Sequence, residues 1–152
     1  MTAPTKPSPA FVATSGQLAT FRLDGDLYGV EVEHVQEVLK SQGLTRVPLA
    51  PAAVAGLINL RGQVVTAIEL RERLGRPPRP EGTDAVVIVV RLHGEAVSLL
   101  VDSIADVVDV DAADFEAPPD TLEGHARDLI RGAYKLDGQL LLALDVQKAV
   151  SA

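Results

Sequence analysis

The residue types that carry most enzyme chemistry are sparse in this sequence. It contains three histidines, His34, His93 and His125, and no two of them have the His-x-x-x-His spacing of a metal-binding helix. The chain has no cysteine, which excludes disulfides and cysteine-based zinc sites. Neither a glycine-rich phosphate-binding loop nor a Gly-x-Ser-x-Gly nucleophile motif is present. We therefore predict no enzymatic activity, no metal and no cofactor, and we interpret the histidines as solvated surface side chains.

An acidic cluster in the second half of the chain is the other candidate for a metal site. It lacks the glycine and the ligand spacing of a calcium-binding loop. Its members alternate with Ile104, Val107, Val108 and Val110, which is typical of a strand with one solvated side, and like charges on such an edge discourage aggregation. We interpret the cluster as a solvated strand edge; its members are Asp102, Asp106, Asp109, Asp111, Asp114 and Glu116.

Two charged residues, Arg61 and Glu37, are candidates for a binding surface. Arg61 lies at the tip of a predicted hairpin, directly before Gly62, and Glu37 lies in the short segment 34–38. An exposed ion pair between them would add little to the stability of the fold. Two interpretations of Arg61 stay open at this point, a partner contact and an ordinary solvated turn residue.

Composition restricts the class of protein. The chain has 152 residues, of which 47% are hydrophobic, enough for one domain or two small packed lobes. Its formal net charge of −7 argues against nucleic acid as a partner, because that binding depends on cationic side chains. No apolar run is long enough for a membrane helix, so we expect no membrane insertion. Residues 1–16 contain three prolines and predict a disordered tail, not a signal peptide, which makes the cytoplasm the default location.

The pattern of apolar residues predicts a mostly β chain with a few short helices. The run Val86–Val90 is continuous and favours a strand buried on both faces. Tight hairpins are predicted at four dipeptides: Asp24-Gly25, Arg61-Gly62, His93-Gly94 and Asp137-Gly138. The remaining predicted elements are a short strand over 44–49, a short helix over 33–40 and helical turns over 69–74 and 145–150.

The sequence repeats itself on either side of a proline-rich linker, residues 76–82. Residues 21–38 align without a gap on 90–107, and 56–74 align on 132–150. An internal duplication predicts two similar lobes of five short strands each. We place the first lobe mainly at 17–75 and the second mainly at 83–144, followed by the helical turn at 145–150, and exchange of strands between the lobes stays open.

The two copies differ in charge at their turns. Arg61 aligns with Asp137, and Glu37 aligns with Asp106. This difference is what we expect of a duplicated scaffold whose two surfaces contact different partners.

Four stretches of the sequence resemble the CheW family of bacterial chemotaxis coupling proteins. Tyr28-Gly29-Val30 with Val35-Gln36-Glu37-Val38 resembles the opening of such a domain, and Asn59-Leu60-Arg61-Gly62 through Arg71 resembles its central motif. Val101–Val107 and Leu129–Asp145 resemble its second half. The resemblance covers residues 17–150. It departs from the family pattern at Thr66 and Glu69, where the family often has Pro and Asp.

The resemblance implies a fold and a function. The fold is two small five-stranded SH3-like antiparallel β-barrels within one CheW-like domain. The function is that of a non-enzymatic adaptor that couples the cytoplasmic tips of chemoreceptors to a CheA-type histidine kinase, whose regulatory domain has the same fold. Such a protein acts in the cytoplasm, at the inner face of the membrane, through receptor arrays.

The resemblance also implies a receptor-binding surface at Arg61 and Glu37, with Val35 and Asn59 as neighbours. We expect Gly56 and Gly62 to maintain packing near this surface. Because the receptor tip of the family is a helical hairpin, the expected binding mode places a helix in a groove.

Two other functions remain as alternatives. The same scaffold could serve a kinase pathway outside chemotaxis, such as pilus motility or second-messenger control, and the sequence does not distinguish these. A small-molecule sensor would need convergent polar groups in an apolar pocket between the barrels, and the sequence shows none.

Overall fold

The computed structural model describes residues 16–40, 44–122 and 124–151. The predicted tail, apart from Gly16, therefore lies outside the described residues. The strands are β1 Gly16–Leu23, β2 Asp26–Glu31, β3 Val35–Lys40, β4 Leu44–Thr45, β5 Val54–Leu60, β6 Gln63–Glu69, β7 Val86–Leu92, β8 Glu95–Val101, β9 Ser103–Val110, β10 Phe115–Glu116, β11 Ile130–Leu136 and β12 Gln139–Leu144. The helices are α1 Leu70–Arg73, α2 Gly124–Leu129 and α3 Val146–Val150, and there are 3-10 turns at Val32–His34 and Ala112–Asp114.

The described strands form two six-stranded sheets. The first has the order β10-β11-β12-β2-β1-β9, and the second has the order β4-β5-β6-β8-β7-β3. Neighbouring strands are antiparallel, except that β12 runs parallel to β2 and β6 runs parallel to β8. Each sheet contains five longer strands and one two-residue edge strand, β10 or β4. The predicted fold class, mostly β with two similar lobes, is confirmed, and each lobe has a short sixth strand.

The sequence repeat relates the two sheets strand by strand. In the first sheet Leu142 pairs with Tyr28 across the parallel contact, and in the second Thr66 pairs with Val97. These two pairs occupy equivalent positions in the repeat. The hairpin β1–β2 completes the sheet built from β9 to β12, whereas β7–β8 completes the sheet built from β3 to β6. Each half of the chain therefore gives its first hairpin to the other half's sheet, which is the exchange of strands between the lobes that the sequence left open.

The predicted helix over 33–40 is wrong. The chain makes a 3-10 turn at Val32–His34 and then continues as β3, which pairs antiparallel with β7. Isolated helices this short are marginal, whereas strand pairing supplies backbone hydrogen bonds and suits the β-branched Val35 and Val38. The predicted strand over 44–49 is shorter than expected, since only Leu44–Thr45 pairs with β5.

The described core consists of three apolar clusters, one between the two sheets and one within each sheet. The largest lies between the sheets and joins side chains of both, among them Phe21 and Tyr28 of the first and Leu99 of the second. The rings of Phe21 and Tyr28 stack with centroids 5.8 Å apart. Strand β7 is buried on both faces, as predicted, because Ile88 contributes to the central cluster and Val89 to a separate cluster of the second sheet. The space between the sheets is thus occupied by core side chains.

Candidate functional site

The tight turn between β5 and β6 presents Arg61 to solvent. Arg61 and Gly62 both have positive φ, 52° and 85°, which gives the turn the twist that matches an antiparallel hairpin. The side-chain oxygen of Asn59 accepts a hydrogen bond from the backbone nitrogen of Gly62 at 2.9 Å. Asn59 therefore fixes the turn, and the turn fixes the direction of Arg61.

The guanidinium of Arg61 binds Glu37 of β3 through two parallel hydrogen bonds. Arg61 Nη1 donates to Glu37 Oε2 and Arg61 Nη2 donates to Oε1, each at 2.7 Å. The side chain of Arg61 is 77% exposed, whereas that of Glu37 is 17% exposed. The hydrogen bonds from Arg61 lower the pKa of Glu37 below its ordinary value. We call Arg61, Glu37 and Asn59 the charged patch.

A chain of hydrogen bonds extends the charged patch along the surface. Gln36 Nε2 donates to Glu37 Oε2 at 3.4 Å, and Arg91 Nε donates to Gln36 Oε1 at 2.8 Å. Arg91 in turn donates through Nη1 to the carbonyl oxygen of Gly94 in the β7–β8 turn at 2.8 Å. The patch is thus held by side chains from three strands of the second sheet.

The structure does not bring Val35 to the charged patch. A register shift at Gln36 pairs Val35 with Val90 and pairs Glu37 with Val89. Directly paired residues share a face of the sheet. Val90 belongs to the central cluster, against which Val35 packs, while Val89 faces the cluster of the second sheet. Val35 therefore lies on the opposite face from Glu37, and a packing role is the one its position supports.

The two predicted glycines near the site have different roles. Gly56 has φ 154°, and a Cβ on it would collide with the carbonyl oxygen of Thr45 in β4. Gly132, its equivalent in the repeat, would collide in the same way with Phe115 and the carbonyl oxygen of Glu116. Gly62 has open space around its Cα, so its positive φ, and not packing, requires glycine there.

The equivalent surface of the other sheet carries no such pair. Asp106 lies exposed on β9 and Asp137 lies exposed in the β11–β12 turn. These two exposed carboxylates make the equivalent surface acidic, whereas the charged patch holds a pair of opposite charges. The difference in turn charge between the two copies, noted in the sequence, is therefore a difference between two surfaces.

Sequence reasoning missed a network of charged residues centred on Asp102. Its carboxylate accepts hydrogen bonds from Arg71 at 2.6 and 2.9 Å and from Arg79 at 3.1 Å, and its Oδ2 also accepts from the backbone nitrogen of Asp24 at 2.9 Å. Partial burial raises the pKa of Asp102, but the hydrogen bonds and the nearby positive charges outweigh burial and lower that pKa to about 2. Asp102 therefore connects the β1–β2 turn, α1 and the linker through hydrogen bonds, and it does not belong to the solvated strand edge. In the repeat, Asp102 aligns with Glu33, another acidic residue, so the comparison of the two copies gave no reason to single out Asp102.

The linker is part of the same network. Arg71 Nη1 donates to the carbonyl oxygen of Pro77 at 2.8 Å, and Arg79 binds Glu69 through two hydrogen bonds at 3.0 and 3.1 Å. The segment predicted as a linker is therefore attached along its length, to residues at the end of β6 and in α1.

His34 and His93, the two histidines whose side chains the structure describes, do not form a reactive centre. His34 Nε2 lies 3.6 Å from Glu31, and His93 is exposed in the β7–β8 turn with φ 50°. The side chain of His125 lies outside the described part of the molecule. Within residues 16–40, 44–122 and 124–151, no group of three or more His, Cys, Asp or Glu side chains has an arrangement that could hold a metal ion. No helix among these residues is long and apolar enough to cross a membrane.

These features define a class of protein. A duplicated β scaffold presents a preformed ion pair on one sheet and exposed carboxylates at the equivalent positions of the other, which is typical of a protein-interaction module. The model of the CheW-like domain matches residues 17–152. The chain therefore belongs to the CheW family, whose members are non-enzymatic scaffold proteins, and it is not an enzyme.

Individual relatives agree with this assignment along almost the whole chain. The chemotaxis protein CheW of Treponema pallidum is 31% identical, over 90% of this chain and 82% of the relative. The chemotaxis protein CheW of Rhizobium meliloti is 30% identical, over 86% of this chain and 84% of the relative. The crystal structure of the scaffolding protein TtCheW from Thermoanaerobacter tengcongensis superposes with a TM-score of 0.76 at 29% identity, covering 87% of this chain and 90% of that one.

Proposed function

We propose that this protein is a chemotaxis adaptor that couples the cytoplasmic tips of chemoreceptors to a CheA-type histidine kinase. Its relatives named as chemotaxis proteins cover nearly all of the chain, which supports the chemotaxis role. The bridging of receptor and kinase, and the location at the inner face of the membrane through receptor arrays, are what the family resemblance implies.

The single observation that supports a receptor site is the bidentate pair between Arg61 and Glu37. A guanidinium that is mostly exposed, yet held in one orientation by a less exposed carboxylate, is pre-organised for a partner. Electrostatic groups of this kind orient a partner and determine specificity. We propose that the charged patch forms the polar rim of the receptor site. Val35 does not reach this rim and would act by supporting β3.

Apolar side chains are available next to the patch for the groove itself. Leu60 and Leu39 are partly buried and pack on the cluster of the second sheet, close in sequence to Arg61 and Glu37. Val64, which follows the turn in β6, is 61% exposed. A helical hairpin would contact such an apolar surface while its charged side chains meet the patch.

The test is a binding assay of the full chain with a receptor cytoplasmic fragment and with the CheA-type kinase, separately and together. We expect binding to both, and we expect Arg61→Glu to weaken receptor binding at least tenfold without changing kinase binding. Arg127→Glu is the matched control, because Arg127 is an exposed arginine on α2 and the change in charge is the same.

The assay also has outcomes that contradict the proposal. If Arg127→Glu weakens receptor binding as much as Arg61→Glu does, the effect comes from net charge and the site is wrong. If neither partner binds, the adaptor serves another kinase pathway, and pilus motility or second-messenger control become the candidates to test.

A further inference from the structure

Two arginines at equivalent positions of the repeat hold the turns of the hairpins β1–β2 and β7–β8. Arg22 lies in β1 and Arg91 lies in β7, and the repeat aligns one with the other. Arg91 Nη1 donates to the carbonyl oxygen of Gly94 at 2.8 Å, and Arg22 Nη1 donates to that of Gly25 at 3.3 Å. Because both copies have this contact, it belongs to the duplicated hairpin and explains nothing that is particular to the charged patch.

The second contact of each arginine differs between the copies. Arg91 Nε donates at 2.8 Å to Oε1 of Gln36, the residue of β3 directly before the glutamate of the charged patch. Arg22 Nη2 donates at 3.2 Å to Oε1 of Gln139, at the start of β12. The residue of β9 that aligns with Gln36 is Ala105, whose side chain has no hydrogen-bonding group. The contact between this arginine and the β3 side chain is therefore a feature of the sheet that contains the patch.

The chemistry of its neighbours allows one orientation of the Gln36 amide. A guanidinium only donates hydrogen bonds, and a carboxylate only accepts them. Arg91 therefore faces the amide oxygen, which turns the amide nitrogen towards Glu37, where Nε2 lies 3.4 Å from Oε2. This is a long hydrogen bond, so Glu37 alone holds the amide weakly. Gln36 also lies at the register shift of β3, where pairing with β7 does not fix its side chain.

The carboxylate of Glu37 is held by donors from two elements. Its Oε2 accepts from Arg61 Nη1 at 2.7 Å, across from the β5–β6 turn, and from Gln36 Nε2 of β3. The hydrogen bonds from Arg61, and to a smaller extent the one from Gln36, lower the pKa of Glu37. The orientation of the carboxylate in turn determines where the exposed guanidinium of Arg61 points.

We propose that Arg91 is a positioning residue of the charged patch, and that it holds Gln36 so that Glu37 presents Arg61 to the receptor in one orientation. An arginine of the β7–β8 hairpin thus contributes to the pre-organisation of a site formed by β3 and the β5–β6 turn. The inference rests on the proposed receptor-binding role of the patch. It gives Arg91 an effect on receptor affinity that requires no contact between Arg91 and the receptor.

The experiment is a double-mutant cycle with Arg91→Met, Gln36→Met and the variant that combines them. Methionine keeps an unbranched apolar stem but cannot donate a hydrogen bond. One readout is the pKa of Glu37, from an NMR titration of its carboxyl carbon, and the other is the affinity for a receptor cytoplasmic fragment, from isothermal titration calorimetry. Each single variant should raise the pKa of Glu37 and weaken receptor binding about threefold, and the combined variant should show no larger change than either.

Arg22→Met is the matched control for Arg91→Met. It removes the same charge, the same kind of turn hydrogen bond and the same kind of hydrogen bond to a glutamine, but on the other sheet. We expect it to change neither the pKa of Glu37 nor the affinity for the receptor fragment. Because Arg91 and Gln36 are exposed, their variants should retain the fold, which circular dichroism checks. Equal effects of Arg22→Met and Arg91→Met would trace the change to net charge and overturn the proposal.

Two further results would overturn it. If the changes in the pKa of Glu37 add up in the combined variant, Arg91 acts through its charge and not through Gln36. If that pKa changes as expected while receptor binding stays the same, and Arg61→Glu still weakens binding, the orientation of the pair does not matter to the receptor. A parent chain that fails to bind the receptor fragment would contradict the proposed function, whereas the NMR cycle would still decide whether Arg91 positions the pair.

Discussion

Glu37 is the residue whose protonation reports most directly on the charged patch. Its pKa is lowered first by the hydrogen bonds from Arg61, so Arg61→Gln should raise the pKa of Glu37 towards its ordinary value. The measurement is an NMR titration of the Glu37 side-chain carboxyl carbon in both proteins. Identical titration curves would contradict the bidentate pair as the state of the patch in solution.

Asp102 should make the stability of the protein depend on acid. Its pKa is about 2 in the folded state and about 3.9 in an unfolded chain, so its stabilisation is present above pH 4 and is lost as the pH falls towards 2. Allowing for solvent screening, this contribution is about 1–2 kcal/mol. Asp102→Asn should therefore lower the free energy of unfolding at pH 6, with a difference from the parent that shrinks by pH 2.5. Urea titrations at both pH values measure this, and a difference that is independent of pH would mean that Asp102 acts only through packing.

At the scale of single elements, Gly56 and Gly132, whose backbone lies against a neighbouring strand, should be far more sensitive to substitution than the turn glycines. Gly56→Ala places a Cβ against the carbonyl oxygen of Thr45, for which we expect a loss of about 2–3 kcal/mol. Gly62→Ala has open space and should lose only about 1 kcal/mol through its positive φ. Urea denaturation of both variants gives the comparison. Equal losses would show that β4 moves away from β5 at little cost.

The elements show which parts of the fold the sequence could predict. Tight turns such as Arg61-Gly62 and the apolar run of β7 follow from local chemistry, and both were predicted correctly. Strand β3 was mistaken for a helix because its residues Val35, Val38 and Leu39 also fit a helical face. The pairing partner that decides the matter, β7, lies some fifty residues further along the chain. Long-range pairing therefore overrode an ambiguous local pattern.

In the candidate site, too, some features could be predicted from the local sequence and others depend on long-range contacts. Arg61 and Glu37 could be chosen from the sequence through their resemblance to a family motif, and the structure brings them into contact. The register shift at Gln36 places Val35 on the other face of β3, and no local pattern reveals such a shift. Asp102 was assigned to a solvated edge because the arginines that bind it, Arg71 and Arg79, are distant in sequence.

At the scale of the whole molecule, exchange of the first hairpins makes the two halves of the chain depend on each other. Each sheet has a hairpin from one half and four strands from the other. The central cluster also draws on both halves, with Tyr28 and Leu99 as examples. An isolated half would leave the hairpin-binding edges of β9 to β12 or β3 to β6 unpaired, which favours aggregation over folding.

The exchange predicts the behaviour of a chain cut in the linker. With a protease site inserted between Glu81 and Gly82, which are exposed, cleavage should leave a complex that elutes with the intact protein in size-exclusion chromatography and has a similar circular dichroism spectrum. Residues up to 81 remain attached through Arg71 and Arg79, so the cut does not release the linker. Each half produced alone should be unfolded, and mixing the two during refolding should restore the native spectrum. If either half folds alone into a monomer, its sheet does not need the exchanged hairpin, and the pairing of β2 with β12 or of β8 with β6 contributes little to stability.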